Sequence, residues 1–278
     1  LHVRSRRQRQ MCIRDSLNPL KMGHIEAYRG TGCTPAYIIS TERNLAMRHI
    51  GIIGAMEEEV AILKEKMTDV TVEKKASMEF YSGRLNGKEA VIVRSGIGKV
   101  NAGICTQILA DDFHVDAVIN TGVAGSLRAE INIGDIVLST DTLQHDMDAR
   151  EFGYPIGQVP RMDTLAFPAD ETLRSLAAEV CRQVNPDIQV FEGRVVSGDQ
   201  FVAKKEVKDQ IIENTDGYCT EMEGAAIGQA AYLNQIPYLV IRAISDKADD
   251  SAHMDYPAFE REAIRHTVNL VESMVKRL

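Results

Sequence analysis

Three polar residues, Arg242, Ser245 and Asp246, lie in or directly after an apolar run near the carboxyl end of the chain. The run 238–244 is rich in β-branched residues and has the length of a strand buried on both faces of a parallel sheet. Ligands of open α/β sheets bind beyond the carboxyl ends of the strands. This position suits Asp246 as an acid that acts on a ligand. A purely structural reading makes it a turn cap and Arg242 a structural cation.

Further carboxylates follow other apolar segments. Glu57, Glu58 and Glu59 open a helix after a short apolar strand, where the helix dipole alone favours negative charge. Glu59 is the last of the three and the best placed to reach across the strand ends. Glu221 and Glu223 lie in an otherwise apolar stretch, where a carboxylate is costly unless it is hydrogen-bonded.

The elements that must position these residues alternate between strands and helices. A strong turn dipeptide, Asn86-Gly87, joins two strands into a hairpin. Residues 47–278 contain no linker, so the pattern predicts a single α/β domain with a largely parallel sheet. We expect strands at 49–54, 78–85, 88–94, 115–122, 135–141, 188–196 and 238–244, and helices from 55, at 168–184, 204–213, 225–233 and 257–278.

Residues 1–46 differ from the remainder of the chain. They hold eight Lys or Arg against three Asp or Glu, whereas the remaining 232 residues hold 24 against 37. No continuous apolar segment follows the basic start, so a secretory signal is disfavoured; a transit peptide or a nucleic-acid arm stays open. We expect a non-native or disordered leader.

Composition excludes several classes of protein for residues 47–278. An acidic body gives no support for nucleic-acid binding, and no apolar run reaches the length of a membrane span. The cysteines of the whole chain, five in all, are odd in number and never form a CxxC spacing. That usage is typical of a reduced, cytoplasmic protein that lacks a disulfide framework and a zinc site.

Two segments invite a cofactor or metal interpretation, and neither supports it. The glycine turn 95–103 matches neither the Walker A motif nor the dinucleotide fingerprint, which leaves a tight turn where backbone can approach a ligand. His145, Asp146 and Asp148 occur without an HxH or HxxxH spacing. A loop of hydrogen-bonding side chains is therefore favoured over a metal site.

Six segments occur in an order and spacing that is far more specific than any one of them. They are Gly51-Ile-Ile-Gly-Ala-Met-Glu-Glu-Glu59, Ser95-Gly-Ile-Gly-Lys99, Asn120-Thr-Gly-Val-Ala-Gly125, Val196-Ser-Gly-Asp-Gln-Phe201, Glu221-Met-Glu223 and Arg242-Ala-Ile-Ser-Asp246. Together they resemble the 5′-methylthioadenosine/S-adenosylhomocysteine nucleosidases of the purine nucleoside phosphorylase superfamily, over residues 48–278.

This resemblance implies a three-layer α/β/α sandwich with a central mixed, largely parallel sheet, and a homodimer. It also implies hydrolysis of an N-glycosidic bond without a cofactor or metal, which releases adenine and a 5-thio-substituted ribose for methionine salvage. By the same resemblance, Asp246, steadied by Ser245, is the general acid that protonates adenine N7. Glu59 is the base that activates the attacking water.

The resemblance further implies which residues contact the nucleoside. The ribose contacts are Glu223, the Met222 backbone and Arg242, with Glu221 beside them. The adenine contacts are Phe201 and the Val202 backbone. The 5′-alkylthio group lies against Met56, Ile97 and Tyr256, and Phe152, Tyr154 and Pro160 of the partner subunit reach into the same pocket. Two positions depart from the family pattern: Val123 stands where some members carry Ser, and Tyr256 replaces a Phe. Both bear on substrate preference rather than on the type of reaction.

The proposed chemistry is physically reasonable. Cleavage of a glycoside passes through a ribosyl cation-like state, so the leaving base has to be neutralised. An ordinary Asp has a pKa near 3.9, so an Asp that serves as the acid at neutral pH needs burial and hydrogen bonds to its neutral form. A phosphorylase would hold phosphate where Glu59 lies. One carboxylate about 4 Å from one phosphate charge costs about 4 kcal/mol at an effective dielectric of 20.

Three alternatives stay open at this point. They are a phosphate-dependent purine nucleoside phosphorylase, a hydrolase of aminodeoxyfutalosine, and a nucleoside-binding protein without catalytic activity. The last is disfavoured because a binder has no need of Glu59, Glu223 and Asp246 together.

Overall fold

A central mixed β-sheet organises residues 47–278, which are the residues that this computed structural model describes. The predicted leader, residues 1–46, lies outside the described residues. The strands in chain order are β1 (His49–Gly54), β2 (Thr68–Lys75), β3 (Met78–Leu85), β4 (Lys88–Arg94), β5 (Ala117–Ser126), β6 (Ile136–Gln144), β7 (Phe167–Pro168), β8 (Val190–Ser197), β9 (Cys219–Glu221) and β10 (Tyr238–Asp246).

The described part of the chain contains six α-helices, and five of them cover the two faces of this sheet. The six are α1 (Glu57–Glu65), α2 (Lys99–Asp111), α3 (Glu171–Val184), α4 (Lys205–Thr215), α5 (Gly224–Asn234) and α6 (Ala252–Arg277). Helices α1, α3 and α6 pack over one face, and α2 and α5 over the other. The predicted α/β/α arrangement is therefore confirmed. None of the described helices has the length and apolar character that crossing a membrane requires.

The strands at the centre of the sheet are buried on both sides. Every residue of β5 and of β10 is buried, and these two strands pair in parallel. Strand β1 lies parallel to both β4 and β5. Continuous apolar runs of this kind belong between two helical layers, where neither face of a strand meets water.

The sheet closes on itself at one end. Strand β10 pairs with β5 in parallel and with β6 in antiparallel fashion, which completes a ring through β6, β8, β9 and β5. Strands β1, β4, β3 and β2 extend the sheet away from this ring, and β2 pairs only with β3 among the described strands. The ring brings the carboxyl ends of β5, β9 and β10 to one place.

The structure corrects several predicted boundaries. Helix α3 begins at Glu171 rather than at 168, because Asp170 caps it by accepting from Leu173 N at 2.8 Å. Helix α6 begins at Ala252 rather than at the predicted residue 257. Strands β2, β7 and β9 were not predicted. Strands β5, β6 and β10 extend beyond their predicted ends at residues 122, 141 and 244. The hairpin of β3 and β4 is confirmed with its predicted bounds.

Candidate active site

Two glycines of β5 let functional side chains approach the sheet at its carboxyl end. Gly122 pairs with Arg242 and Gly125 pairs with Asp246 across the β5–β10 ladder. A Cβ at Gly122 would collide with the Arg242 guanidinium and lie 2.5 Å from Glu59 Oε1. A Cβ at Gly125 would lie 2.7 Å from Asp246 Oδ1. The motif Asn120–Gly125 is thus rich in glycine because charged groups occupy the space that side chains would fill.

Glu59 is the one carboxylate of the first turn of α1 that points inward. Glu57 and Glu58 are exposed, whereas Glu59 is buried. Its Oε2 accepts from Ala55 N at 2.7 Å and Met56 N at 3.0 Å, and its Oε1 accepts from Val123 N at 3.2 Å. Burial raises the pKa of Glu59 above its usual range, and the lowering effects of Arg242 and of these amides do not offset it.

Arg242 is a fully buried cation at the centre of the site. Its Nη2 donates to Asn120 Oδ1 at 2.6 Å, to Glu221 Oε2, and to Glu223 Oε2 at 3.5 Å. Its Nε has no hydrogen-bond partner among the described residues. Burial alone would lower the pKa of Arg242, but the charges of Glu221, Glu223 and Glu59 raise it, so the guanidinium stays charged.

Three carboxylates therefore surround this single guanidinium. Glu223 Oε1 accepts from Gly98 N at 2.9 Å, which ties the glycine turn before α2 to the site. Burial and the neighbouring charge of Glu221 raise the pKa of Glu223 to about 7. Like charges that share a buried site cannot all ionise freely, so the cluster binds a proton readily near neutral pH.

Asp246 lies at the end of β10 with well-defined partners. Its Oδ2 accepts from Ser245 Oγ at 2.9 Å, and its Oδ1 accepts from Ala248 N at 2.8 Å. Ser245 Oγ also lies 3.4 Å from Ala124 O on β5. Both residues are buried. The predicted pairing of Ser245 with Asp246 is therefore present in the structure.

A cavity of about 360 Å³ joins these groups, a volume in the range of small-molecule sites. Phe201 and Tyr256 meet edge to face at its mouth, with ring centroids 5.9 Å apart. Twelve of the sixteen predicted site residues line it: Met56, Glu59, Ile97, Val123, Phe201, Glu221, Met222, Glu223, Arg242, Ser245, Asp246 and Tyr256. The sequence interpretation missed four further lining residues, Ala55, Ala124, Gly125 and Thr220.

The other predicted residues lie outside this cavity. Val202 lines a small adjoining recess together with Phe201 and Asp246. Phe152 is 82% exposed, and the Tyr154 hydroxyl accepts from Arg161 N at 3.3 Å. Phe152, Tyr154 and Pro160 do not line the cavity of their own chain. The predicted contribution of these three residues of the partner subunit stays a prediction.

The polar loop after β6 holds Asp146 in an ion pair. Asp146 Oδ1 accepts from Lys99 Nζ at 2.6 Å, and Asp146 Oδ2 accepts from Asp199 N at 3.0 Å. Asp148 is engaged by Arg150. In the described part of the chain, Asp146 and Asp148 thus accept hydrogen bonds from protein groups, which agrees with a loop of hydrogen-bonding side chains.

Comparison with known proteins places this site in a family. Residues 49–276 match the model of the phosphorylase superfamily. The chain is 43% identical to the 5′-methylthioadenosine/S-adenosylhomocysteine nucleosidase of Staphylococcus carnosus over 230 residues, 82% of this chain and 100% of the relative. It is 45% identical to that of Anoxybacillus flavithermus, covering 83% of this chain and 99% of the relative. The chain belongs to the 5′-methylthioadenosine/S-adenosylhomocysteine nucleosidases.

Solved nucleosidase structures share the same architecture. The Neisseria meningitidis enzyme in complex with methylthio-immucillin-A matches with a TM-score of 0.80 and 38% identity, over 83% of this chain and 100% of that one. The Colwellia psychrerythraea nucleosidase in complex with adenine matches with a TM-score of 0.80 and 41% identity, over 84% and 96%. The predicted fold class and family are therefore confirmed.

Proposed function

We propose that the protein hydrolyses the N-glycosidic bond of 5′-methylthioadenosine and S-adenosylhomocysteine and releases adenine and a 5-thio-substituted ribose. The observation that carries this proposal is that Glu59 and Asp246, from different elements, line one nucleoside-sized cavity around a buried guanidinium. Two carboxyl groups that flank a scissile glycosidic bond are the usual equipment of a glycoside hydrolase.

In this mechanism the two carboxyl groups perform opposite proton transfers. Asp246 donates its proton to N7 of adenine as the bond between the base and C1′ breaks. Glu59 accepts a proton from water while the water oxygen bonds to C1′. The raised pKa of Glu59 makes it a stronger base than an ordinary glutamate. The excess of carboxylates around Arg242 stabilises the positive charge that develops on the ribosyl ring.

The remaining lining residues account for the recognition of a thio-substituted nucleoside. Glu223 and the Met222 backbone hold the ribose hydroxyls, beside Arg242. Phe201 offers a ring face to adenine next to Asp246, and the Val202 backbone lies in the adjoining recess. Met56, Ile97 and Tyr256 supply an apolar surface for the alkylthio group.

Water suits the nucleophile position better than phosphate does. Among the described residues that line the cavity, Arg242 is the one Arg or Lys, and Glu221 and Glu223 already engage its guanidinium. A phosphate would meet the Glu59 carboxylate, at a cost of about 4 kcal/mol per phosphate charge at about 4 Å. Hydrolysis is therefore favoured over phosphorolysis.

Assembly and cellular role form the finer part of the proposal. Exposed Phe152 and the loop that carries it are available to a second copy of the chain, so we assign the protein a homodimer in which this loop completes the partner's alkylthio pocket. We assign the reaction to the cytoplasm, to methionine salvage and to the removal of S-adenosylhomocysteine.

One structural neighbour has a different substrate in its name. The futalosine hydrolase of Helicobacter pylori matches with a TM-score of 0.79 at 34% identity, over 84% of this chain and 99% of that one. Its identity lies within the 32–41% of the nucleosidase structures, so the choice of substrate rests on the curated sequence relatives, which are nucleosidases at 43% and 45% identity. Methylthioadenosine and S-adenosylhomocysteine are therefore the better substrates to assign.

Product analysis tests the proposal directly. The protein is incubated with methylthioadenosine in phosphate-free buffer and in buffer with added phosphate, and the products are separated by chromatography. We expect adenine and 5-methylthioribose at the same rate in both buffers. A phosphorylated sugar, or adenine release that requires phosphate, would overturn the proposal. Parallel incubations with S-adenosylhomocysteine and aminodeoxyfutalosine rank the substrates, and Asp246→Asn controls for contaminating activity.

A further inference from the structure

Glu221 lines the cavity, yet protein donors occupy both of its carboxylate oxygens. Oε1 accepts from Ser197 Oγ and from Gly224 N at 3.0 Å. Oε2 accepts from Arg242 Nη2, from Glu223 N at 3.1 Å and from Gly224 N at 2.8 Å. An ionised carboxylate offers about four lone-pair positions. These donors use that capacity, so Glu221 has none left for a ligand hydroxyl.

Glu223, two residues further on, is differently bonded. Its Oε1 accepts from Gly98 N at 2.9 Å, and its Oε2 lies 3.5 Å from Arg242 Nη2, at the outer limit of a hydrogen bond. Glu223 therefore retains acceptor capacity on the cavity side. The two acids of the Glu-Met-Glu motif have different tasks although both line the same cavity.

Ser197 connects Glu221 to a helix end. Its hydroxyl donates to Glu221 and accepts from Ala225 N at 2.7 Å. The N-cap residue of helix α5, Glu223, makes no capping bond with its own side chain. Ser197 and Glu221 instead accept from the first amides of α5, which would otherwise stay unpaired in a buried place. Through these bonds Glu221 joins strands β8, β9 and β10 to helix α5.

We propose that Glu221 is a positioning residue rather than a substrate contact: with Ser197 it holds the Arg242 guanidinium and the start of α5, so that Glu223 faces the ribose. This proposal rests on the proposed function of the site and changes the role predicted for Glu221. Ser197, to which the sequence interpretation gave no role, is a positioning residue together with Glu221.

Removal of the Glu221 charge has a specific electrostatic consequence. The charged and titratable groups facing Glu223 are Glu221 on β9, Arg242 on β10 and Glu59 on α1, and Asp246 and Tyr256 share the cavity. Glu221→Gln removes a like charge from beside Glu223 and leaves Arg242 to pair with Glu223 more closely. We therefore expect this substitution to lower the pKa of Glu223.

The test is a pH profile of methylthioadenosine hydrolysis for the full chain and its variants Glu221→Gln and Ser197→Ala. Glu192→Gln, the same change on an exposed residue, is the matched control. We expect Glu221→Gln to lower kcat by about tenfold to a hundredfold, the usual cost of misplaced groups, with KM changed less than about threefold. Because the pKa of Glu223 is raised to about 7, we expect a midpoint near neutral pH in the parent profile, and we expect Glu221→Gln to move it to lower pH. Ser197→Ala moves it in the same direction by a smaller amount, because it removes the hydrogen bonds of Ser197 with Glu221 and with Ala225 N but removes no charge.

Several outcomes would overturn the proposal. A large rise in KM with unchanged kcat and unchanged midpoint for Glu221→Gln would make Glu221 a substrate contact. Parental behaviour of both variants would remove the positioning role. If Glu221→Gln does not fold, Ser197→Ala decides, and an unshifted profile in that variant counts against the proposal. Failure of the parent to release adenine would instead overturn the proposed function.

Discussion

Two arginines of this protein belong to ion-paired groups that are built differently. Arg194 donates to Asp141 through Nε at 2.6 Å and Nη2 at 3.3 Å, and through Nη1 to Thr215 O at 2.8 Å. One cation meets one anion, and both side chains are partly exposed. Arg242 is completely buried, faces three carboxylates and leaves its Nε without a partner in the described part of the chain. The charges of the Arg194 group cancel, whereas the Arg242 group has more carboxylates than cations.

The difference separates a structural ion pair from a functional one. The Arg194 pair satisfies its own charges at the surface, where such pairs contribute little. The Arg242 cluster carries an excess of negative charge in a place shielded from water, which is unfavourable for the protein alone. In the proposed mechanism that excess becomes favourable when a positive charge develops on the bound sugar. An unbalanced buried cluster at strand ends is therefore a functional signature.

The largest expected effect concerns the two proposed proton-transfer groups. Asp246→Asn removes the acid and Glu59→Gln removes the base, and each should lower kcat by about 10²–10⁴. Both keep the size of the side chain, so adenine binding to Asp246→Asn, measured by calorimetry, should change little. Arg194→Met should keep the parental rate. Near-parental turnover of Glu59→Gln would show that another group activates water.

The next largest expected effect is a difference between the two arginines in their contribution to the free energy of unfolding. Arg242→Met leaves three buried carboxylates without their cation, which should lower the free energy of unfolding by about 3–5 kcal/mol. Arg194→Met removes a partly exposed pair and should cost about 1 kcal/mol or less. Urea titration of both variants at one pH measures the difference. Equal losses would contradict the distinction between the two groups.

The space around Arg242 provides a third comparison. Gly122→Ala inserts a methyl group against the guanidinium and Glu59, so we expect a loss of about 1–3 kcal/mol in stability and a clear drop in kcat. Gly103 lies within α2, where no described neighbour comes within 4 Å of the position that a Cβ would take. Gly103→Ala should therefore stabilise the protein by about 0.5–1 kcal/mol and leave kcat unchanged. Thermal unfolding and steady-state rates test both.

The smallest expected effect is a pH-dependent gain in stability. The pKa of Glu223 is raised from 4.5 to about 7, so the folded state binds this proton more tightly than the unfolded state does. Stability therefore declines as pH rises from about 4.5 to 7 and stays lower above that range. Glu223→Gln removes the cost of ionisation and should raise Tm by about 2–4 °C at pH 8 for a gain of about 1 kcal/mol. At a pH of about 4.5 it should change Tm little.

The exposed substitution Glu192→Gln is the control for this last prediction. Glu192 pairs with Arg174 at the surface, so its replacement should leave Tm nearly constant at both pH values. A gain for Glu223→Gln that is equal at the acidic and the alkaline pH would show that its origin is not the ionisation of the carboxylate.

The fold was readable from the sequence wherever burial left a periodic or continuous apolar pattern. Strands β5 and β10 are apolar because helices cover both of their faces. Strand β2 escaped prediction because nearly every residue of it is exposed and its apolar alternation is limited to Val70 and Val72, which is too short to mark a strand. The start of α6 was placed at a proline, a common helix boundary, although the helix begins more than one turn earlier.

The site was readable to a similar extent. Glu59 and Asp246 follow predicted strands, which makes each a candidate for the carboxyl edge of the sheet. Their pairing as base and acid came from the family resemblance. The link between Ser197 and Glu221 depends on the pairing of β8 with β9, and the bond from Arg242 to Asn120 on the pairing of β10 with β5. Pairing partners far apart in sequence leave no local pattern, so these contacts had to come from the structure.

Ring closure through β10 also limits where another chain could extend the sheet. Of the described strands with five or more residues, β2 is the one with a single partner, so its outer side offers unpaired amides and carbonyls. Val70 and Val72 are exposed there, amid Asp69, Glu73, Lys74 and Lys75. Mixed charges on an open strand discourage self-association. Protection against fibril-like stacking thus falls to these four charged side chains. They lie at the end of the sheet that is most distant, in pairing order, from the ring of β5, β6, β8, β9 and β10.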